Sequence, residues 1–145
     1  MDLSLTVVQY GLLAISIVAL AMLLVAGKTA ERVAAVTLFV LMFASPYLAR
    51  EGPFAHALVS GLALAILLFL ALRYERWWLI GAAGLQLVVF STHFAPLLIP
   101  QETIWGAVTL RIVIWQALMA LCLFAIGESR WASYAKNDRA KARTE

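Results

Sequence analysis

The stretch Leu3–Ala26, LSLTVVQYGLLAISIVALAMLLVA, contains no charged residue and is followed by Lys28 and Arg32. An apolar run of this kind supplies the ~20 residues that a helix needs to cross a hydrocarbon core of roughly 30 Å. Four further apolar stretches follow, separated by short polar breaks: Val33–Leu48, Phe54–Leu72, Trp77–Leu98 and Thr103–Gly127. The pattern predicts an all-α, polytopic integral membrane protein, a bundle of five transmembrane helices.

The positive charges alternate with the apolar stretches. Of the 11 Lys and Arg residues, nine fall in the breaks after the first, third and fifth stretches: Lys28, Arg32, Arg73, Arg76, Arg130, Lys136, Arg139, Lys141 and Arg143. Cytoplasmic loops of membrane proteins carry such an excess. We therefore expect the N-terminus outside, the C-terminus in the cytoplasm, and a location in the bacterial inner (cytoplasmic) membrane. Residues 1–127 then form a single transmembrane helical domain, and residues 128–145 a cytoplasmic charged tail.

The composition excludes several classes of protein. Hydrophobic residues make up 64% of the chain and charged residues 13%, whereas a soluble domain is about half apolar and about a quarter charged. We attribute the pI of about 9.4 to Lys and Arg residues in loops beside the lipid bilayer. We therefore expect no nucleic-acid partner. A lone cysteine, Cys122, cannot form an internal disulfide or a CxxC redox pair.

The predicted outer side of the membrane is the more irregular one. The second stretch is short, and Ser45 and Pro46 are expected to interrupt its outer end. All four prolines and both histidines also fall on this side. Because proline ends or kinks helices, we expect any binding site to lie at the outer face.

Two histidines are the first candidates for such a site. The third and fourth stretches are expected to form a hairpin, so His56 and His93 should lie at a similar depth in the membrane. Two neutral imidazoles on facing helices could hold a haem b iron or a divalent metal ion. Gln86 lies seven residues before His93 and would share its helix face. The alternative is that each histidine lies at headgroup level, hydrogen-bonded to water or backbone.

Arg111 is the most unusual residue, because it lies inside the fifth stretch. A charge within a membrane span costs about 2.5–3.5 kcal/mol on insertion scales, which makes it a candidate for a functional site. Trp115, one turn later, could stack beside a ligand such as a quinone head. The alternatives are a side chain that extends to the outer headgroups along its own stem, or one that forms a structural pair within the protein. Glu51, Gln101 and Glu102 could converge on the same outer pocket.

A stripe of small residues on the third stretch predicts a helix contact. Ala57, Gly61 and Ala65 recur every four residues and therefore share one helix face. Small side chains allow helices to approach closely, within one chain or between chains. We expect this stripe to be a helix-packing surface.

The sequence predicts the location of the protein better than its activity. No Asp or Glu falls within the predicted spans, which disfavours a proton-coupled pump, and no catalytic motif is evident. We expect a non-enzymatic small accessory or structural subunit of a larger inner-membrane protein complex, packed against other membrane subunits or its own copies. One alternative is a membrane redox or pigment protein that holds haem b or quinone near the outer leaflet through His56 and His93. Another is a passive facilitator or transporter subunit.

Overall fold

The computed structural model describes residues 3–51, 53–94 and 104–131, which form five α-helices and no strand. In chain order these helices are α1 (Leu3–Ala26), α2 (Thr29–Glu51), α3 (Pro53–Tyr74), α4 (Trp77–Thr92) and α5 (Ile104–Trp131). The prediction of an all-α bundle of five helices is thus confirmed.

Three of the helices are long and apolar enough to cross a membrane, over the windows Gln9–Ala26, Phe54–Tyr74 and Thr109–Ser129. α4 is apolar but shorter, with 16 residues. Large apolar side chains are exposed on the outside of the bundle, among them Val25 at 82% and Leu72 at 81%. This surface suits contact with a lipid bilayer, whereas the five-span topology and its orientation remain predictions.

The helices form a closed ring. Each helix packs against its neighbours in the chain, and α1 also packs against α5. Consecutive helices run in opposite directions, so α1 and α5, the first and last of an odd number, run parallel. The core lies inside the ring, and every helix contributes a fully buried leucine to it: Leu20, Leu38, Leu67, Leu79 and Leu118.

Two tight turns lie at one end of the ring, which we call the hairpin end. Gly27 and Lys28 join α1 to α2, and the Lys28 N–H donates to a carboxylate oxygen of Glu31 at 2.9 Å. Glu75 and Arg76 join α3 to α4, with Glu75 in the left-handed region at φ 50°. Its N–H donates back to the last turn of α3 at 3.0 Å, a common way to end a helix.

The second helix is longer than predicted. α2 begins at Thr29 rather than Val33 and continues to Glu51, so Ser45 and Pro46 do not interrupt it. Membrane helices tolerate proline where the surrounding structure satisfies the freed backbone groups. The expectation of a short, broken second stretch is therefore wrong.

The other boundaries differ less. α3 extends one residue earlier and two later than Phe54–Leu72. α4 ends at Thr92 rather than Leu98, and residues 95–103 lie outside the described ranges. α5 continues past Gly127, so the tail predicted from residue 128 begins as helix; residues 132–145 also lie outside the described ranges.

Buried charged side chains lie at the hairpin end of the ring. Nη1 of Arg76 lies 2.8 Å from Oε1 of Glu31, and both side chains are at most 1% exposed. Glu128 of α5 is also buried and accepts hydrogen bonds from the N–H groups of Trp77 and Trp78, each at 3.3 Å. Because the first N–H groups of a helix lack intrahelical partners, a carboxylate from α5 caps α4.

These contacts add to what the sequence predicts for this end of the bundle. Arg76 lies in the basic turn before α4, as predicted, but its side chain is buried inside the ring. No Asp or Glu falls within the predicted spans, but α2 and α5 extend beyond those spans and include the buried Glu31 and Glu128. Both carboxylates lie close to the ends of the apolar stretches, where they have polar partners from other segments.

We expect Gly27→Ala to destabilise the bundle. A Cβ atom here would overlap the Leu23 carbonyl oxygen and lie 2.5 Å from the Glu31 Cβ atom. No rotamer change relieves overlap with backbone, so the free energy of unfolding should fall by about 1–3 kcal/mol. Thermal unfolding in detergent measures this loss through a thiol-reactive dye at Cys122, the only cysteine of the chain and a buried one.

The matched control is Gly84→Ala, at an exposed helical position where a Cβ atom would meet nothing within 4 Å. Alanine is favoured over glycine within a helix by about 0.5–1 kcal/mol, so this variant should be as stable as the parent or more so. Equal unfolding temperatures for the two variants would show that the turn accepts a side chain.

Candidate functional site

A cavity of about 370 Å³ lies inside the ring, at the end opposite the hairpins. All five helices contribute to its wall, and much of that wall is apolar, with Leu12 from α1, Met42 from α2 and Ile112 from α5. Small-molecule sites in proteins have volumes of roughly 300–1,000 Å³, with mainly apolar walls and a few polar groups. The cavity meets this description.

The residues that the sequence singled out for a cofactor all line this cavity: His56, His93, Arg111, Gln86 and Trp115. The structure therefore brings together side chains from α3, α4 and α5. Of the other polar residues expected to converge here, Gln101 and Glu102 lie outside the described residues, as does the side chain of Glu51.

The two histidines lie side by side. The ring centroids of His56 and His93 are 5.6 Å apart, and their planes differ by 22°. The helices that carry them approach closely, because a Cβ atom at Gly61 of α3 would lie only 3.0 Å from the Phe90 ring of α4. The depth match predicted for a hairpin is therefore present in the structure.

The stripe of small residues contributes to this contact in part. Ala57 is buried, and Gly61 faces Phe90 across the α3–α4 contact. Ala65 is exposed and lies outside the core of the ring. Close helix packing within the chain therefore uses two of the three predicted positions.

The site fits a metal ion or a haem poorly. No group of three or more His, Cys, Asp or Glu side chains in the described ranges could hold a metal ion, and the Arg111 guanidinium adds positive charge to the cavity. A haem ligated by both His56 and His93 would need its macrocycle between α3 and α4, which pack tightly at Gly61 and Phe90. Neither group enters the proposed function.

Arg111 is held by the end of α4. Its Nε donates to Oγ1 of Thr92 at 2.7 Å, and its Nη2 donates to the Thr92 carbonyl at 2.9 Å. Carbonyls at a helix C-terminus lack intrahelical partners and carry partial negative charge, so they attract a guanidinium. Of its five N–H groups, three make no hydrogen bond to another described residue. The side chain thus spans the α4–α5 contact.

Trp115 is fixed from the opposite side of the ring. Its Nε1 donates to Oγ of Ser16 at 3.0 Å, which joins α5 to α1. The Ser16 hydroxyl donates in turn to the Leu12 carbonyl at 2.9 Å. These two bonds hold the indole ring in the wall of the cavity.

Gln86 supplies a buried acceptor. Its Nε2 donates to the Ser60 carbonyl at 3.3 Å and to the Ser60 hydroxyl at 3.0 Å, so the orientation of the amide follows from its partners. Its Oε1 has no hydrogen-bond partner among the described residues, although the side chain is 0% exposed. An unpaired buried acceptor is unfavourable, so a donor in the cavity would be favoured there.

The partners of these residues were missed from the sequence. Ser16, Ser60 and Thr92 are short polar residues on apolar helices, and they add no charge and no periodic pattern. Helical spacing offered one signal, since Ser60 lies one turn after His56 on the same face. The contact between Thr92 and Arg111 depends on how α4 and α5 are aligned, which no local pattern specifies.

The chain matches no family model, no curated protein and no solved structure. The function is therefore inferred from the chemistry of the cavity. It has an end rich in hydrogen-bond donors at Arg111, an indole in its wall at Trp115 and a buried acceptor at Gln86.

Proposed function

We propose that this protein binds a lipid-soluble molecule of the quinone class, whose oxygen-bearing aromatic head lies in the cavity between the helices. The observation that carries the proposal is a largely apolar cavity of about 370 Å³ into which Arg111, His56, His93 and Trp115 are gathered. A lipid-soluble ligand would reach such a site from the bilayer. The apolar side chains exposed on the outer surface of the bundle are consistent with that environment.

The polar groups suit an oxygen atom at the histidine side of the cavity. Arg111 keeps donors beyond the two that bind Thr92, and hydrogen bonds from a charged donor are among the stronger ones in proteins. The imidazoles of His56 and His93 could each donate or accept. An aromatic ring could stack on the indole of Trp115, whose orientation Ser16 fixes.

The membrane arrangement is part of the proposal. We propose five spans with the N-terminus outside and the C-terminus in the cytoplasm of a bacterial inner membrane. The alternating basic breaks support this orientation. The cavity then lies towards the outer leaflet and the buried Arg76–Glu31 pair towards the cytoplasm. The role of accessory subunit stays a proposal that no contact among the described residues favours.

We expect a decyl-substituted benzoquinone to quench part of the tryptophan fluorescence in a saturable manner. Quinones are electron acceptors that quench an indole at short range, and Trp115 lines the cavity. Titration of the purified protein in detergent measures the effect. Trp115→Phe should remove the saturable component.

Trp131→Phe is the matched control, because Trp131 is 85% exposed at the other end of the bundle. Quinone dissolved in the micelle reaches an exposed indole without saturation, so this variant should retain the saturable component. A linear, non-saturable response in the parent protein and in both variants would refute quinone binding at the cavity.

A further inference from the structure

The cavity is polar at two separate levels. At one level, Arg111 is bound to Thr92 beside the histidine pair. At the other, Gln86 is bound to Ser60. Thr92 lies six positions after Gln86 in the chain, which places the two levels about 9 Å apart along α4. The rest of the cavity wall is largely apolar.

A charged donor lies at one level, and an acceptor that is unpaired among the described residues lies at the other. At the histidine level, the Arg111 guanidinium can only donate, so it suits an oxygen that accepts. At the Gln86 level, the Oε1 atom can only accept, and the amide nitrogen is already committed to Ser60. A ligand that satisfies Oε1 must therefore bring a hydrogen-bond donor.

A ligand whose aromatic ring carries oxygen atoms at opposite positions matches this arrangement. With a hydrogen bond of about 2.8 Å at each oxygen, such a ligand could contact polar groups at both levels simultaneously. A ligand with one polar end, such as a fatty acid or a lipid phosphate, would leave one level without a partner. The arrangement thus favours a two-ended aromatic head.

The two redox forms of such a head differ at the Gln86 level. The oxygen of a quinone has no proton and can only accept, so it would face the Oε1 atom of Gln86 with two acceptors opposed. The hydroxyl of a quinol donates to Oε1 and still accepts a hydrogen bond on its other oxygen. Buried groups made for a hydroxyl strongly reject an analogue that lacks it.

We propose that the cavity selects the reduced, dihydroxy form of its aromatic ligand over the oxidised form, through a hydrogen bond from the ligand hydroxyl to Gln86. The inference rests on the proposed function and adds the redox state of the ligand to it. A tenfold preference corresponds to a rise of about 30 mV in the two-electron potential of the bound couple.

Anaerobic titration calorimetry with the protein in detergent tests the selection. The probes are a decyl-substituted benzoquinone, its quinol and the dimethyl ether of that quinol. We expect the quinol to bind about tenfold more tightly than the quinone. The dimethyl ether has no hydroxyl and should bind no more tightly than the quinone, a comparison that needs no altered protein.

Gln86→Met provides the complementary test, because it removes the acceptor while approximately keeping the volume. The quinol should lose its tenfold advantage in this variant. Leu87→Met, on the exposed face of the same turn, is the matched control and should keep the advantage. Dye labelling of Cys122 on heating shows whether each variant remains folded.

The outcomes separate the two proposals. Equal affinities for quinol and quinone in the parent protein would overturn the selection while leaving quinone binding in place. A quinol advantage that survives in Gln86→Met, or that the dimethyl ether shares, would also overturn it. Absence of saturable binding by every probe would overturn both proposals.

Discussion

Arg76→Met is expected to lower the free energy of unfolding by about 3–5 kcal/mol, because it leaves the Glu31 carboxylate buried without its guanidinium. Taking a carboxylate out of water is costly, and only close pairing and hydrogen bonds offset this cost. The Lys28 N–H still donates to Glu31, but this single neutral donor does not replace a cation. Thermal unfolding in detergent, followed through dye labelling of Cys122, measures the loss.

Arg32→Met is the matched control, since Arg32 neighbours Glu31 in sequence but is exposed. Exposed substitutions of this kind usually change stability by less than about 0.5 kcal/mol. The double variant Arg76→Met with Glu31→Gln should recover part of the loss, because the side chain at position 31 then carries no charge. If Arg76→Met and Arg32→Met unfold at the same temperature, the buried pair adds nothing to stability.

Arg111→Gln is expected to weaken binding of the benzoquinone and its quinol by roughly 10- to 100-fold. A hydrogen bond to a charged group contributes about 1.5–3 kcal/mol, and Arg111 is the cationic donor in the wall of the cavity. Arg111→Lys keeps the charge but loses the planar fork that binds Thr92 through two nitrogens, so its affinity should be intermediate. Calorimetric titration of the three proteins gives this order.

The control for Arg111 is Thr92→Val, which removes the hydroxyl that receives Nε but keeps the backbone carbonyl that receives Nη2. Its effect should be smaller, because the guanidinium stays in the cavity with one anchor instead of two. If Arg111→Gln binds both ligands as tightly as the parent protein, the guanidinium plays no part in binding.

Much of the architecture could be predicted because it depends on local patterns. The bounds of α1 agree with the first apolar stretch, and α4 begins at the predicted Trp77. The match in depth of His56 and His93 followed from hairpin geometry alone, and the structure places their rings 5.6 Å apart. These features need only helix length, connection length and direction.

Features that depend on pairing between distant segments could not be predicted. Arg76 and Glu31 resemble ordinary charges of polar breaks, and their burial follows from how the two hairpins meet. Glu128 looked like the first residue of a charged tail, yet it caps α4 from another helix. A pattern of charges shows which end of the bundle such residues share, but not which of them pair.

The closure of the ring by α1 and α5 has a consequence for how the protein is made. A chain synthesised from its N-terminus can pack α1 to α4 pair by pair as they emerge, because these neighbours are joined by short turns. The partners in the contact between Ser16 and Trp115 are 99 residues apart and can meet only when the last helix arrives. Because α5 also contributes Arg111, the cavity is complete only once α5 has packed. A molecule bound in the cavity would then stabilise the contact between α1 and α5, the two neighbours in the ring that are not consecutive in the chain.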